Sequence, residues 1–176
     1  MGKTMIFITG GCRSGKSRYA LDYANRRFSE KIFLATCEPL DEEMAHRVEN
    51  HRRTRGPEWR TIEEPIEIVD KIGQHEEEET VILLDCVTLW ISNLLLKWDD
   101  DRRVLGEVSR LIESIKKSKA SFLLVSNEVG MGIVPADPIS RRFRDLAGWA
   151  NQKIAEAADT AIFMVSGIPL FLKGNG

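Results

Sequence analysis

Short, continuous apolar runs alternate along this chain with longer stretches in which apolar residues recur every three or four positions. Met5-Ile6-Phe7-Ile8-Thr9, Lys31 to Thr36, Thr80 to Asp85 and Ser121 to Ser126 are too short for buried helices and read as buried strands. Ala20, Leu21, Ala24 and Phe28 follow the first run with helical spacing. A second helix is predicted over Asp41 to Thr54, ended by Gly56-Pro57, and a short strand over Trp59 to Ile62. Pro65 to Gly73 predicts a further helix, Glu76 to Glu79 a solvated loop, and Thr88 to Trp98 an apolar helix. Asp99-Asp100-Asp101 predicts a cap for the next helix, whose stripe is Val104, Leu105, Val108, Leu111, Ile112 and Ile115. The longest helix carries Ile139, Phe143, Leu146, Ala147, Ala150, Ile154 and Ala157 on one face. Two strands, Thr160 to Ser166 and Ile168 to Leu172, meet near Gly167. Fully apolar strands alternating with helices predict a single three-layer α/β domain over residues 1–176, built on a mostly parallel sheet.

The junction of the first strand and helix carries the most specific chemistry. Gly10-Gly11-Cys12-Arg13-Ser14-Gly15-Lys16-Ser17 is a complete G-x-x-x-x-G-K-[ST] loop between the strand and helix such a motif requires. Its glycines let backbone N–H groups and the helix N-terminus face an anion. Lys16 is placed to reach the β- and γ-phosphates, and the Ser17 hydroxyl to ligate magnesium. The motif predicts a nucleoside triphosphate site without fixing the reaction.

Composition narrows the class without changing that reading. Of 176 residues, 43% are hydrophobic and 30% charged, and the net charge is −2, so no global field draws the chain toward nucleic acid or membrane. No apolar stretch approaches the roughly 20 residues of a membrane span. The chain runs directly into strand and loop, so no signal peptide is expected. Cys12, Cys37 and Cys86 are odd in number and widely spaced, which fits neither a disulfide framework nor a zinc site, and the expected compartment is the cytoplasm.

Three further segments carry candidate chemistry. Asp85 closes an apolar strand, where P-loop proteins commonly hold a magnesium-associated carboxylate; the alternative is a simple cap for the helix at Thr88. On the helix over Asp41 to Thr54, Met44, Val48 and His51 share a face, with Arg52, Arg53 and Arg55 just beyond. A solvated arginine face explains that pattern. So does phosphate chemistry, in which guanidinium groups bind phosphate oxygens and their charge keeps His51 neutral and nucleophilic. His46 lies off that face and His75 in a polar loop. Asn127-Glu128-Val129-Gly130-Met131-Gly132-Ile133-Val134-Pro135 begins at a strand end, the edge where open α/β sheets bind ligands. Its glycines make turns, and its apolar residues could also cover a large, partly apolar substrate. Arg141, Arg142 and Arg144 suit a phosphate or solvent equally, and Trp90, Trp98 and Trp149 suit core or subunit contact.

Together these residues resemble the bacterial adenosylcobinamide kinase/adenosylcobinamide-phosphate guanylyltransferases. The matching stretches are Thr9 to Arg18, Ala35-Thr36, Asp41-Glu42-Glu43-Met44 through His51, Trp59-Arg60-Thr61 with Glu63, Ser126 to Pro135, Phe143-Arg144-Asp145 and Val165-Ser166-Gly167. The Asn-Glu-Val-Gly-Met-Gly-Ile-Val-Pro segment is far more specific than the P-loop. The resemblance implies a RecA-like P-loop NTPase fold, a homotrimer, and two reactions. ATP or GTP phosphorylates the aminopropanol hydroxyl of adenosylcobinamide, and GMP is then transferred from GTP to adenosylcobinamide phosphate through a GMP-histidine. By alignment the nucleophile is His51; members often have two adjacent histidines there, where this chain has Asn50-His51, and often Glu where it has Asp85. The nucleotide contacts implied are the P-loop residues Gly10, Gly11, Cys12, Arg13, Ser14, Gly15, Lys16 and Ser17, with Ala35, Thr36, Cys37, Arg52, Arg53, Thr54, Arg55, Glu63 and Asp85. Ser17 and Asp85 are the expected magnesium ligands, and Glu63 the expected guanine reader, since a carboxylate accepts from the N1–H and exocyclic amine. A simple P-loop metabolite kinase or a regulatory GTP-binding module would use the same loop but have no need of His51.

Overall fold

The computed structural model describes residues 2–37, 56–75 and 77–174. In chain order the elements are β1 (Met5–Gly10), α1 (Lys16–Arg27), β2 (Glu30–Ala35), β3 (Trp59–Glu63), α2 (Ile68–Ile72), β4 (Thr80–Asp85), α3 (Val87–Trp98), α4 (Asp101–Lys117), β5 (Ser121–Asn127), α5 (Pro138–Ala157), β6 (Thr160–Val165) and β7 (Ile168–Lys173). The strands form one sheet in the order β3-β2-β4-β5-β1-β6-β7, parallel throughout except for the antiparallel pair β6–β7.

Side chains alternate across this sheet, and each face has its own core. Ile6, Ile8, Phe33, Leu83, Leu123, Val125 and Met164 pack with Ala20 and Ala24 of α1. Met5, Phe7, Ile32, Leu34, Ile82, Leu84, Phe122 and Leu124 face the other way, onto α2, α3, α4 and α5. Strands covered on both faces must be apolar at every position, hence the unbroken runs in the sequence.

The caps show why the helices stop and start where they do. Asp100 accepts from the N–H groups of Arg102 and Arg103 to open α4, and Lys116 and Lys117 lie in its last turn, favourable to the helix dipole. Asp137 accepts from Ser140 N at 2.8 Å and Pro138 occupies the first turn of α5. α3 is capped by Cys86, whose Sγ accepts from Leu89 N, and not by Asp85.

Two sequence expectations need correction. The helix expected over Pro65 to Gly73 shortens to α2, because Glu64 Oε1 accepts from Ile66 N and Glu67 N and holds those residues in a carboxylate-capped turn. Ile139 was expected on the buried stripe of α5 but is exposed, since the first turn of that helix extends beyond the sheet; Leu146, Ala147, Ala150 and Ile154 are buried as expected. Trp90 is fully buried and donates to Ile66 O, Trp98 is partly buried beneath Arg103, and Trp149 is exposed. The helix expected over Asp41 to Thr54 lies outside the described residues.

Candidate active site

The phosphate-binding loop closes the gap between β1 and α1, and its glycines are fixed by contact as well as by conformation. A Cβ on Gly10 (φ 150°) would collide with the carbonyl oxygen of Met164, and one on Gly15 (φ 95°) would lie 3.3 Å from Gly167 Cα. The turn between β6 and β7 braces the loop from outside: Gly167 N donates to Ser14 O at 3.0 Å. Gly15 caps α1 without a side-chain hydrogen bond, and no acidic residue occupies the first turn. The helix therefore presents its N-terminal amides and positive dipole end without a competing carboxylate of its own, as an anion site requires.

Lys16 is buried, and its Nζ donates to Gly11 O at 2.6 Å and lies 3.5 Å from Ser14 Oγ. Burial holds its pKa below the ordinary lysine value of 10.5, against the opposing pull of Asp85, Cys86 and Cys12. That pull places the Asp85 carboxylate in electrostatic reach of the P-loop lysine. Asp85 stands in register with Ala35, and Ala35 with Glu63, so the three lie in one row across the tips of β4, β2 and β3. The same row continues through Val125, which packs on the α1 face. Asp85, Ala35 and Glu63 therefore share the face that α1 covers, with Ser17 in its first turn, and Glu63 is exposed at the edge strand.

Thr36 behaves differently from its expected neighbours. It is fully buried, its Oγ1 donates to Cys86 O at 2.8 Å and accepts from Cys86 N at 2.9 Å. Its own carbonyl accepts from Asn93 Nδ2 at 2.9 Å, and its N–H donates to Asp85 O at 3.4 Å. Every polar atom of Thr36 is thus engaged in tying the tip of β2 to that of β4. Cys37 follows it, half-buried. The Cys86 thiol is pushed up to about 12, first by burial and then by the Asp85 charge, so it stays protonated and acts as a cap.

β5 lies between the P-loop strand and the Asp85 strand, so its tip enters the site from the middle. Asn127 is in register with Gly10, and Glu128 N donates to Gly10 O at 3.0 Å. A buried polar chain fixes this tip. Thr88 Oγ1 lies 3.0 Å from Ser126 Oγ and accepts from Asn127 N at 2.6 Å. Ser126 Oγ donates to Asn151 Oδ1 at 2.6 Å, and Asn151 Nδ2 donates to Asn127 O at 3.2 Å. Sequence reasoning missed Thr88, Asn151 and the bracing role of Gly167. The only available signal was polar residues at apolar positions of otherwise buried elements.

The structure therefore brings together Gly10 to Ser17, Ala35, Thr36, Cys37, Glu63 and Asp85 along the C-terminal edge of the sheet. His51, Arg52, Arg53, Thr54 and Arg55 lie outside the described residues, as does His46. His75 follows α2 on the way to the start of β4, away from that edge. Of the arginines at α5, Arg142 pairs with Asp99 and Asp101, and Arg141 Nη1 donates to Pro135 O and Ala136 O. Arg144 Nη1 and Thr9 Oγ1 are buried with no hydrogen-bond partner among the described residues. A cavity of about 750 Å³ opens at the opposite edge, between Lys3, Arg27, Glu78 and Lys119. Its charges are largely engaged: Lys3 Nζ donates to Ile115 O and Lys116 O, and Lys119 pairs with Glu78.

Comparison with known proteins agrees with that geometry. The family model for cobinamide kinase / cobinamide phosphate guanyltransferase matches residues 6–172. The bifunctional adenosylcobalamin biosynthesis protein CobP of Pseudomonas aeruginosa is 42% identical over 168 residues, covering 96% of each chain. The bifunctional protein CobU of Escherichia coli is 39% identical over 181 residues, covering 96% of this chain and 99% of that one. Among solved structures, the RadB recombinase aligns with a TM-score of 0.56 at 10% identity, over 91% of this chain and 73% of that one. The flagellar accessory protein FlaH of Methanocaldococcus jannaschii gives 0.51 at 16%, over 98% and 79%. These two likenesses show the fold, a P-loop NTPase sheet of RecA type.

Proposed function

The chain belongs to the cobinamide kinase / cobinamide phosphate guanyltransferase family, the bifunctional enzymes of adenosylcobalamin biosynthesis, and we propose how its residues divide the two reactions. In the first, ATP or GTP phosphorylates adenosylcobinamide at the P-loop. In the second, GMP passes from GTP to adenosylcobinamide phosphate by way of His51. The observation that carries this reading is the P-loop itself, with an anion-ready α1 N-terminus, a buried Lys16, and Asp85 close enough to act on that lysine.

In the kinase step the acceptor hydroxyl attacks the γ-phosphorus, the bond to the β,γ-bridging oxygen breaks, and the hydroxyl proton is lost. The loop amides and Lys16 spread the phosphate charge, a step catalysed mainly by positioning and neutralisation. Ser17 and Asp85 fit a magnesium ion, because they offer hard oxygen donors from the first turn of α1 and from the facing strand tip. Bound there, the ion would neutralise triphosphate charge. Thr36 holds the Asp85–Cys86 backbone in place rather than touching the nucleotide through its hydroxyl.

In the transfer step an imidazole nitrogen of His51 attacks the α-phosphorus of GTP and pyrophosphate leaves. A phosphate oxygen of adenosylcobinamide phosphate then displaces the imidazole, so one nucleophile splits a difficult transfer into two steps. Arg52, Arg53, Thr54 and Arg55 receive phosphate oxygens, and Glu63 reads guanine. One domain spanning residues 1–176 carries both reactions, in the cytoplasm, as a homotrimer. Supporting an assembly are the exposed apolar side chains Val165, Ile168, Leu170, Phe171 and Leu172 of the β6–β7 hairpin, and supporting a reducing compartment are three free cysteines.

The test supplies adenosylcobinamide with ATP alone, GTP alone, or both, and identifies products by mass. ATP alone should give the phosphate ester and stop there, and GTP should carry it to the GDP ester. Formation of an ADP ester from ATP alone, or no phosphate ester under any condition, would overturn the reading.

A further inference from the structure

The two reactions need a surface for the acceptor as well as for the nucleotide, and the segment after β5 has unusual properties for a loop. It starts against the P-loop, through Glu128 N and Gly10 O. It is pinned at both ends: Glu128 Oε1 accepts from Gly130 N at 2.6 Å, Arg141 Nη1 donates to Pro135 O at 3.0 Å and Ala136 O at 2.6 Å, and Asp137 caps α5. Yet its apolar side chains face solvent, with Met131 79%, Ile133 97% and Val134 59% exposed, and Ile139 at the start of α5 49%.

An aliphatic side chain left in water forgoes the free energy of burial. Four of them on backbone held at both ends form an apolar surface with no described partner, beside a phosphate-transfer site. We propose that Met131, Ile133, Val134 and Ile139 are the platform on which the macrocycle of the phosphoryl acceptor lies. This rests on the acceptor being a corrinoid, as argued above. Continuity with the P-loop selects the occupant. The acceptor must bring a hydroxyl to the γ-phosphate on a flexible tail while its ring stays outside, because a ring of that size does not enter the loop. A polar tip at Asn127 and Glu128, one hydrogen bond from Gly10, leading outward to an apolar shelf, matches an amphipathic molecule with a polar tail and a broad ring.

The test uses Ile133→Ser, the double variant Met131→Ser/Ile133→Ser, and Ile133→Leu as the conservative control. Kinase KM and kcat for adenosylcobinamide are measured beside enzyme labelling by α-labelled GTP without acceptor, and assembly is followed by sedimentation. KM for the corrinoid should rise about tenfold in Ile133→Ser and more in the double variant, as expected for removing a buried aliphatic contact. Labelling and assembly should hold, and Ile133→Leu should restore KM. Unchanged KM in the double variant, in an enzyme whose wild type turns over, overturns the platform alone. Dissociation of the assembly with loss of labelling assigns this face to a second copy of the chain and also overturns it. A wild type that phosphorylates no corrinoid refutes the acceptor reading itself.

Discussion

Replacing Thr36 by valine separates two roles that one residue at the nucleotide edge could have. Family resemblance places Thr36 among the nucleotide contacts, whereas the structure gives its hydroxyl to both backbone groups of Cys86 and leaves the side chain without solvent exposure. Valine keeps the shape and deletes the hydroxyl, stranding the buried Cys86 N–H, while Cys86 O keeps its bond from Trp90 N at 3.2 Å. One unsatisfied buried donor costs about 1–3 kcal/mol. For a chain of this length that corresponds to a fall in Tm of about 2–12 °C. Urea unfolding of wild type, Thr36→Val and Thr36→Ser, with m-values compared, measures it; serine keeps the hydroxyl and should recover most of the loss. Kinase kcat should fall with the loosening of the β4 tip, while the Kd for GTP stays within a few-fold. Unaltered stability together with weakened GTP binding would refute the clamp and return Thr36 to the nucleotide.

Three further outcomes follow from the same edge. Lys16→Ala should abolish phosphorylation and GMP transfer alike, and a normal transfer rate beside a dead kinase would mean two separate triphosphate sites. Glu63→Gln should raise KM for GTP about tenfold to a hundredfold and narrow its preference over ATP, the cost of one hydrogen bond to a charged group; unchanged discrimination would place base reading elsewhere. Lys16 must be charged to neutralise phosphate, and burial lowers its pKa, so kcat/KM for the nucleotide should fall on the alkaline side at a pH below that of ordinary lysine. In a pH profile, a limb lying at or above 10.5 would contradict that burial effect.

The strands were legible because both faces of a parallel sheet are buried, so Met5 to Ile8 and Val81 to Leu84 are apolar without interruption. The P-loop was legible because anion binding by backbone demands glycines at fixed spacing. Ile139 and the residues from Pro65 to Glu67 were misread because periodicity is local: it registers neither where a helix outruns its sheet nor where a carboxylate competes for backbone N–H groups. The buried polar chain through Thr88, Ser126 and Asn151 was hidden for a related reason. Their hydrogen bonds join residues 24 to 39 positions apart, and no spacing in the sequence encodes such a pairing. Gly167 was visible as part of a matching motif, but its purpose, donating to Ser14 O under the P-loop, needed the fold.

On the reading proposed above, a single histidine carries GMP between the two substrates. Wild type, His51→Ala and His46→Ala are incubated with α-labelled GTP and magnesium in the absence of acceptor, then resolved under mildly alkaline conditions, because a phosphoramidate survives base and is lost in acid. Label should appear in wild type and persist in His46→Ala, disappear in His51→Ala, and release pyrophosphate only where it forms. Stoichiometric label on His51→Ala would contradict the assignment, and GMP transfer at a normal rate with no label on any form would contradict the covalent intermediate itself.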